Sequence, residues 1–300
     1  MRLKSLFLAV CVLVTLGCGT DTEQSVSMEQ FTPSRIVGTV ASPAGGEIAY
    51  ESNGKGETAL VFVHGWCCDR TYWKNQVDAF KDRYQVVTID LGGHGESRMN
   101  RPAWTLEGLI DDVLAVVNSL NLEHMVLIGH SMGGTVVVET AARIPDRVIG
   151  IVGVDTLQNV EKKYAEEEFN AFVGPMETDF AGTTVGFVTK GLFRPDSDPA
   201  LVEQVAQDMA QGPASVGVGL MKNLFNHDLT GALAGLDMPI RLINADLYPT
   251  DEEANRRHMK NFGLVLLEGT GHFPQLEDPE RFNQALDGVL NEIVASDHQE

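Results

Sequence analysis

Apolar residues fall along this chain with two different spacings, and the alternation between them predicts the architecture. Short runs rich in Val, Ile and Leu occur at 59–63, 85–89, 126–129, 148–154, 240–245 and 264–267. Those that are continuously apolar predict strands covered on both faces. Between the runs lie stretches in which apolar residues recur every three or four positions, at 72–82, 105–120 and 135–142, with further helices starting at Glu252 and Pro279. The pattern at 105–120 is the clearest: Leu106, Leu109, Ile110, Val113, Leu114, Val117 and Leu120 share one face, with Asp111 and Asp112 opposite. That is a surface helix with a buried stripe. Strand and helix in regular turn predict an α/β fold whose mostly parallel central sheet is flanked by helices. Segments 35–41 and 47–52, joined by a Pro- and Gly-containing turn, predict an antiparallel hairpin at its start.

After Asp155 this rhythm stops for about 80 residues, far beyond an ordinary connection. Helical patterns at 162–172, 201–210 and 217–225 fill the gap, together with Phe169, Phe172, Met176, Phe180, Phe187, Leu192 and Phe193. The rhythm resumes at Ile240. An insertion of about 158–236 in an otherwise regular domain of 35–300 therefore reads as a helical lid, and its aromatic content suggests an apolar substrate. With 300 residues, 43% of them hydrophobic, the chain can bury one sizeable core.

The first residues have a different purpose. Arg2 and Lys4 precede an apolar run at 6–16, too short to cross a bilayer, and Gly17-Cys18 follows. This order predicts a secretory signal at 1–17, and Gly17-Cys18 resembles the lipobox of bacterial lipoproteins. The resemblance implies lipidation of Cys18 and, with Gly19 next, an outer-membrane anchor in the cell envelope. An ordinary signal peptide with an incidental cysteine is the alternative. Residues 19–33, rich in Thr, Ser, Gln and acidic side chains, then form a tether across 18–34. The formal net charge of −20 repels nucleic acid and anionic membranes, so a membrane is expected as a partner only through the lipid. The adjacent Cys67 and Cys68 cannot make a disulfide framework and have no neighbouring His cluster. They read as two buried small residues, and no metal is expected.

The chemistry is carried by Gly129-His130-Ser131-Met132-Gly133-Gly134, set between a strand and a helix. A sharp strand-to-helix turn holds its central residue in a strained conformation, and side chains two places either side would collide, so glycines stand there. The turn lifts the Ser131 hydroxyl above the sheet and aims the Met132 amide at the place where an oxyanion forms. By chance a Gly-x-Ser-x-Gly string occurs in about one chain in ten of this length, so it is the strand-turn-helix context that makes the signal specific. His64-Gly65-Trp66, at the end of the run 59–63, supplies a second oxyanion amide from Trp66, with His64 bracing the loop. A base must come from the same sheet edge. Of eight histidines only His272 stands in the loop directly after the last strand. His124 precedes a strand, His130 sits beside the nucleophile with its side chain turned away, and His227 and His258 lie in the lid and on a surface helix.

With Asp90-Leu91-Gly92-Gly93-His94-Gly95-Glu96-Ser97 and Gly271-His272-Phe273-Pro274-Gln275-Leu276-Glu277-Asp278-Pro279, these motifs stand in order and spacing that resemble the α/β-hydrolase superfamily, in its lidded serine-esterase branch, from about Arg35 to the C-terminus. The resemblance implies a Ser131–His272–acid triad that cleaves an ester, lactone or thioester of a small molecule through an acyl-enzyme, without cofactor. Dehalogenases and epoxide hydrolases resemble the chain around Asp90–Ser97 but attack with a carboxylate, where this chain has Ser131. Proline iminopeptidases carry Trp and Gly-Ser around the nucleophile, where it has Met132-Gly133-Gly134. Carbon–carbon bond hydrolysis and a non-catalytic binding lipoprotein are the alternatives. For the acid, most relatives use a position that corresponds to Tyr248, which cannot be a carboxylate. Asp155, ending the strand after the nucleophile's, is therefore expected to orient His272, with Asp246 the other candidate.

Overall fold

The computed structural model describes residues 35–97 and 100–298. The signal sequence, Cys18 and the tether lie outside the described residues. Eight strands form one sheet: β1 (Arg35–Ala41), β2 (Glu47–Asn53), β3 (Ala59–Val63), β4 (Gln85–Ile89), β5 (Met125–His130), β6 (Val148–Val154), β7 (Ile240–Ala245) and β8 (Phe262–Leu267). Their spatial order is β1-β2-β4-β3-β5-β6-β7-β8, antiparallel through β1, β2 and β4 and parallel from β4 to β8. The nucleophile strand β5 is thus central, and all parallel strands end at one edge.

Alternate residues of each parallel strand feed two cores. Val61 and Val63 join the core under the helices Leu106–Ser119 and Met132–Arg143. Leu60 and Phe62 join the core under the C-terminal helix Pro279–Asp297, with its buried Phe282, Leu286, Leu290 and Ile293. Burial on both faces explains why these strands read as continuous apolar runs. In β5 Met125, Val126, Leu127 and Ile128 have no exposed surface, and each such side chain contributes roughly 1.5–3 kcal/mol.

Most expected elements stand within a few residues of their predicted limits. The expected helix over 72–82 is a 3-10 turn, Arg70–Trp73, followed by the helix Lys74–Phe80. One face assignment is corrected. Asp112 does not face solvent: it is fully buried, receives the guanidinium of Arg101 at 2.6 Å and accepts the Gly92 amide at 2.9 Å. Helical periodicity put it opposite the apolar stripe, but a loop from outside the helix covers that face. The gap between β6 and β7 holds the helices Glu166–Thr178, Phe180–Phe187, Pro199–Ala210, Ala214–Leu224 and Thr230–Ala234, with a π-turn at Val188–Leu192.

Candidate active site

Ser131 stands between the end of β5 and the helix Met132–Arg143, with φ 52° and ψ −118°. A β-carbon at Gly129 would lie 2.2 Å from the Gly133 carbonyl oxygen, and one at Gly133 would lie 2.4 Å from that of Val63. The Gly-x-Ser-x-Gly spacing is therefore a packing requirement of this turn. The turn is held from β6, since the Ser131 amide donates to the Val154 carbonyl at 3.0 Å and the Thr156 hydroxyl donates to the Ser131 carbonyl at 2.8 Å.

Asp155 ends β6 with φ 40°, and its carboxylate is buried. One oxygen accepts the Ala245 amide at 2.9 Å. The other meets His272 Nδ1 at 2.5 Å, so the imidazole's second nitrogen is left for other work. The structure thus brings Asp155 to His272 and keeps Asp246 away: Asp246 accepts from Arg194 and from the Gly269 amide. Tyr248, at the commoner acid position, donates its hydroxyl to the Gly191 carbonyl. Asn244, which the pattern did not single out, locks the turn beside Asp155, accepting the Thr156 amide and donating to the Thr156 carbonyl and the Thr250 hydroxyl. No hydrogen bond joins Ser131 Oγ to His272 among the described residues, a bond that in ligand-free hydrolase sites is often long and tightens with substrate.

The two expected oxyanion amides are unspent. Neither the Trp66 nor the Met132 N–H donates to any acceptor among the described residues. Their neighbours explain this for the first loop: the Cys67 amide goes to His94 Nε2 and the Cys68 amide to the Gly65 carbonyl, which leaves Trp66 between them. His64 braces the loop as expected, donating from Nδ1 to the Gly65 carbonyl and accepting the Leu91 amide at Nε2. Asp90 ties the same shelf together, accepting from the amides of Arg70 and Glu96 and from the Arg70 side chain. The Asp90–Ser97 motif is thus scaffolding for the oxyanion loop. His130 is not simply turned away. Its Nε2 donates to the His272 carbonyl at 2.8 Å, and the two rings lie 4.8 Å apart.

Burial holds three of these histidines neutral. It lowers the His64 imidazole, pushes His94 down to about 3 with the help of His64, and lowers His130 strongly, where a positive His272 adds repulsion. Cys67 and Cys68 are free, buried and raised by burial, so they are poor thiolates. His124, His227 and His258 pair with Asp297, Glu139 and Glu161 away from the site. Among the described residues no cluster of His, Cys, Asp and Glu could hold a metal.

The inserted helices cover the oxyanion loop. Trp66 donates its indole N–H to the Gly217 carbonyl at 2.8 Å and meets Phe180 and Phe187 edge-on, and Phe187 in turn meets Phe172 at 5.0 Å. Phe172 lines a cavity of about 770 Å³ with Phe169, Met221, Leu224 and Phe225, with Lys162 and Lys163 at its rim.

The chain is similar to known proteins over most of its length. The chain is 26% identical over 262 residues to 3-oxoadipate enol-lactonase 1 of Acinetobacter baylyi, a match covering 85% of this chain and 97% of the relative. It is 28% identical over 252 residues to the pimeloyl-[acyl-carrier protein] methyl ester esterase of Nitrosospira multiformis, covering 77% and 94%. Among solved structures, a thermophilic esterase from Thermogutta terrifontis superposes with a TM-score of 0.76 at 26% identity over 86% of this chain and 99% of the other. Residues 58–279 match the family model described as alpha/beta hydrolase fold, a span that includes Ser131, Asp155 and His272, and the chain belongs to that family.

Proposed function

We propose that the protein is a serine hydrolase that cleaves an ester-type bond, in an ester, lactone or thioester of a small apolar molecule, through an acyl-enzyme. The observation that carries this reading is the 2.5 Å contact between Asp155 and His272 Nδ1 at the edge where the strained turn presents Ser131. In the proposed mechanism His272 Nε2 takes the hydroxyl proton as Ser131 Oγ attacks the carbonyl carbon. Buried Asp155 holds the ring's tautomer and stabilises the imidazolium. The free Trp66 and Met132 amides receive the charge that develops on the carbonyl oxygen. His272 then protonates the leaving group, and a water activated by the same nitrogen releases the acid. This route needs neither a metal nor an organic cofactor. The named activities of the lactonase and methyl ester esterase relatives support the bond type. The aromatic residues of the insert support an apolar acyl or alcohol group.

Chromogenic esters from acetate to palmitate, assayed beside lactones, test the reading: hydrolysis that Ser131→Ala abolishes supports it, and a wild-type protein inert toward all of them contradicts it. We further propose that the enzyme is tethered to the bacterial envelope by lipid on Cys18. Release of a Cys18→Ser variant from the membrane fraction is the expected outcome, and unchanged retention after signal removal contradicts it.

A further inference from the structure

The geometry points to Glu277 as a positioning residue that sets the place of His272 and ties it to the turn that follows the π-turn inside the helical insert. This rests on the proposed role of His272 as base. Glu277 follows the base by five positions, at the end of the short helix Pro274–Glu277, which turns its side chain back toward the loop it has just left. One carboxylate oxygen accepts the Gly271 amide at 3.0 Å and the other accepts the Phe273 amide at 3.2 Å. A single carboxylate thus grips the backbone on both sides of His272. It has no Lys, Arg or His partner among the described residues, so N–H and O–H donors alone offset its charge. The fit leaves no slack: a β-carbon on Gly271 would lie 2.8 Å from Glu277 Oε1 and 2.8 Å from the Leu192 carbonyl oxygen.

The third donor to Glu277 comes from the insert. The Ser197 hydroxyl donates to Glu277 Oε2 at 2.9 Å, and Ser197 closes the turn Arg194–Ser197 through which the chain leaves the π-turn. The same segment reaches the base loop twice more. The Leu192 carbonyl accepts the His272 amide at 2.7 Å, and Arg194 pairs with Asp246, whose carboxylate accepts the Gly269 amide. Of the amides from Gly269 to Phe273, only Thr270 bonds within its own loop, to Leu267. The base is therefore suspended from the segment Leu192–Ser197 of the insert, and Glu277 is the node at which both flanking amides and that segment meet. Displacing an imidazole by about 1 Å costs on the order of 10²-fold in turnover, so a carboxylate with this grip governs rate without touching substrate.

The test is steady-state kinetics of Glu277→Gln, Glu277→Asp and Ser197→Ala on the best ester, with the far-downfield Nδ1 proton of His272 followed by NMR. An amide cannot accept from both flanking N–H groups, so Glu277→Gln lowers kcat by about 10²-fold, leaves KM within about twofold and shifts the proton signal. Asp keeps the charge but is one methylene too short to span both amides, and it restores activity only in part. Ser197→Ala removes one hydrogen bond and lowers kcat by about threefold, the size expected of such a bond, with a smaller shift of the same signal. A folded Glu277→Gln with wild-type kcat, or one whose loss falls wholly in KM, overturns the inference. Should Glu277→Gln fail to fold, Ser197→Ala decides, and an unmoved signal there overturns it too. A wild-type protein that hydrolyses no ester would instead count against the proposed function itself.

Discussion

At the edge of the sheet Asp155 spends both carboxylate oxygens on named partners, Ala245 and His272. Within the insert the helices Glu166–Thr178 and Ala214–Leu224 turn Phe169, Phe172, Met221, Leu224 and Phe225 into a cavity in which aliphatic and aromatic contacts replace such partners. The edge is also built from residues that leave the surface almost wholly: His64, His94 and His130 are buried, each with hydrogen bonds at the ring nitrogens it uses to brace a loop. The cavity side chains are only half-buried. Polar groups in a low-dielectric setting must be paired, and once paired they fix atoms to within fractions of an ångström. Apolar contacts are non-directional and tolerate a different occupant. Under the proposed function the difference divides reaction from selectivity: the edge would determine what is done to a carbonyl, and the insert which molecule brings it.

The largest expected effect breaks the edge. Asp155→Asn keeps the shape but offers His272 Nδ1 an amide in place of a charge, and turnover falls on the order of 10⁴-fold with KM and folding little changed. Steady-state kinetics beside circular dichroism check this. Near-normal turnover there, with a collapse in Asp246→Asn, would transfer the acid's role to the loop after β7.

Acid provides the next largest. The fold lowers the pKa of His64, His94 and His130, so below the ordinary value of about 6.5 the unfolded chain binds protons that the folded chain refuses. Stability from these groups is full above that pH and is lost as pH falls toward the folded value, about 3 for His94. The expected slope is roughly 1.4 kcal/mol per pH unit for each histidine. Urea unfolding at pH 7, 6, 5 and 4 measures it, and a flat dependence would mean the three are not held neutral.

A smaller effect is expected from the insert. Phe187 joins Trp66 to Phe172, and Phe187→Ala removes apolar surface between the oxyanion loop and the cavity. The ratio of kcat/KM for octanoate over acetate esters falls by about tenfold, while acetate hydrolysis holds. An unchanged or increased ratio would show that acyl chains do not run toward this cavity.

Legibility in the sequence divides along the same line. Continuous apolar runs announced the parallel strands because burial on both faces writes itself into every residue. The turn at Ser131 was legible because Gly129 and Gly133 are needed within four residues of one another. Asp155 could be ranked above Asp246 because it ends an apolar strand, and the structure places it on His272. What escaped reading depends on partners distant in the chain. Asp112 looked solvent-facing until Arg101 closed over it, and Glu277 looked like part of a motif until Ser197 met it from 80 residues away. The helix expected over 162–172 begins at Glu166, capped by Glu168, and runs to Thr178 through Pro175, which has no N–H to donate to the preceding turn. The signal and Cys18 lie outside the described residues.

The central claim is that Ser131 is a nucleophile activated by His272, and covalent capture tests it most directly. The protein is incubated with a fluorophosphonate, digested, and its peptides are read by mass spectrometry, beside Ser131→Ala and His272→Ala. The account predicts a single adduct on Ser131 in the wild type, none in Ser131→Ala and strongly slowed labelling in His272→Ala. A folded wild-type protein that acquires no adduct at Ser131, or labels equally fast without His272, would contradict it.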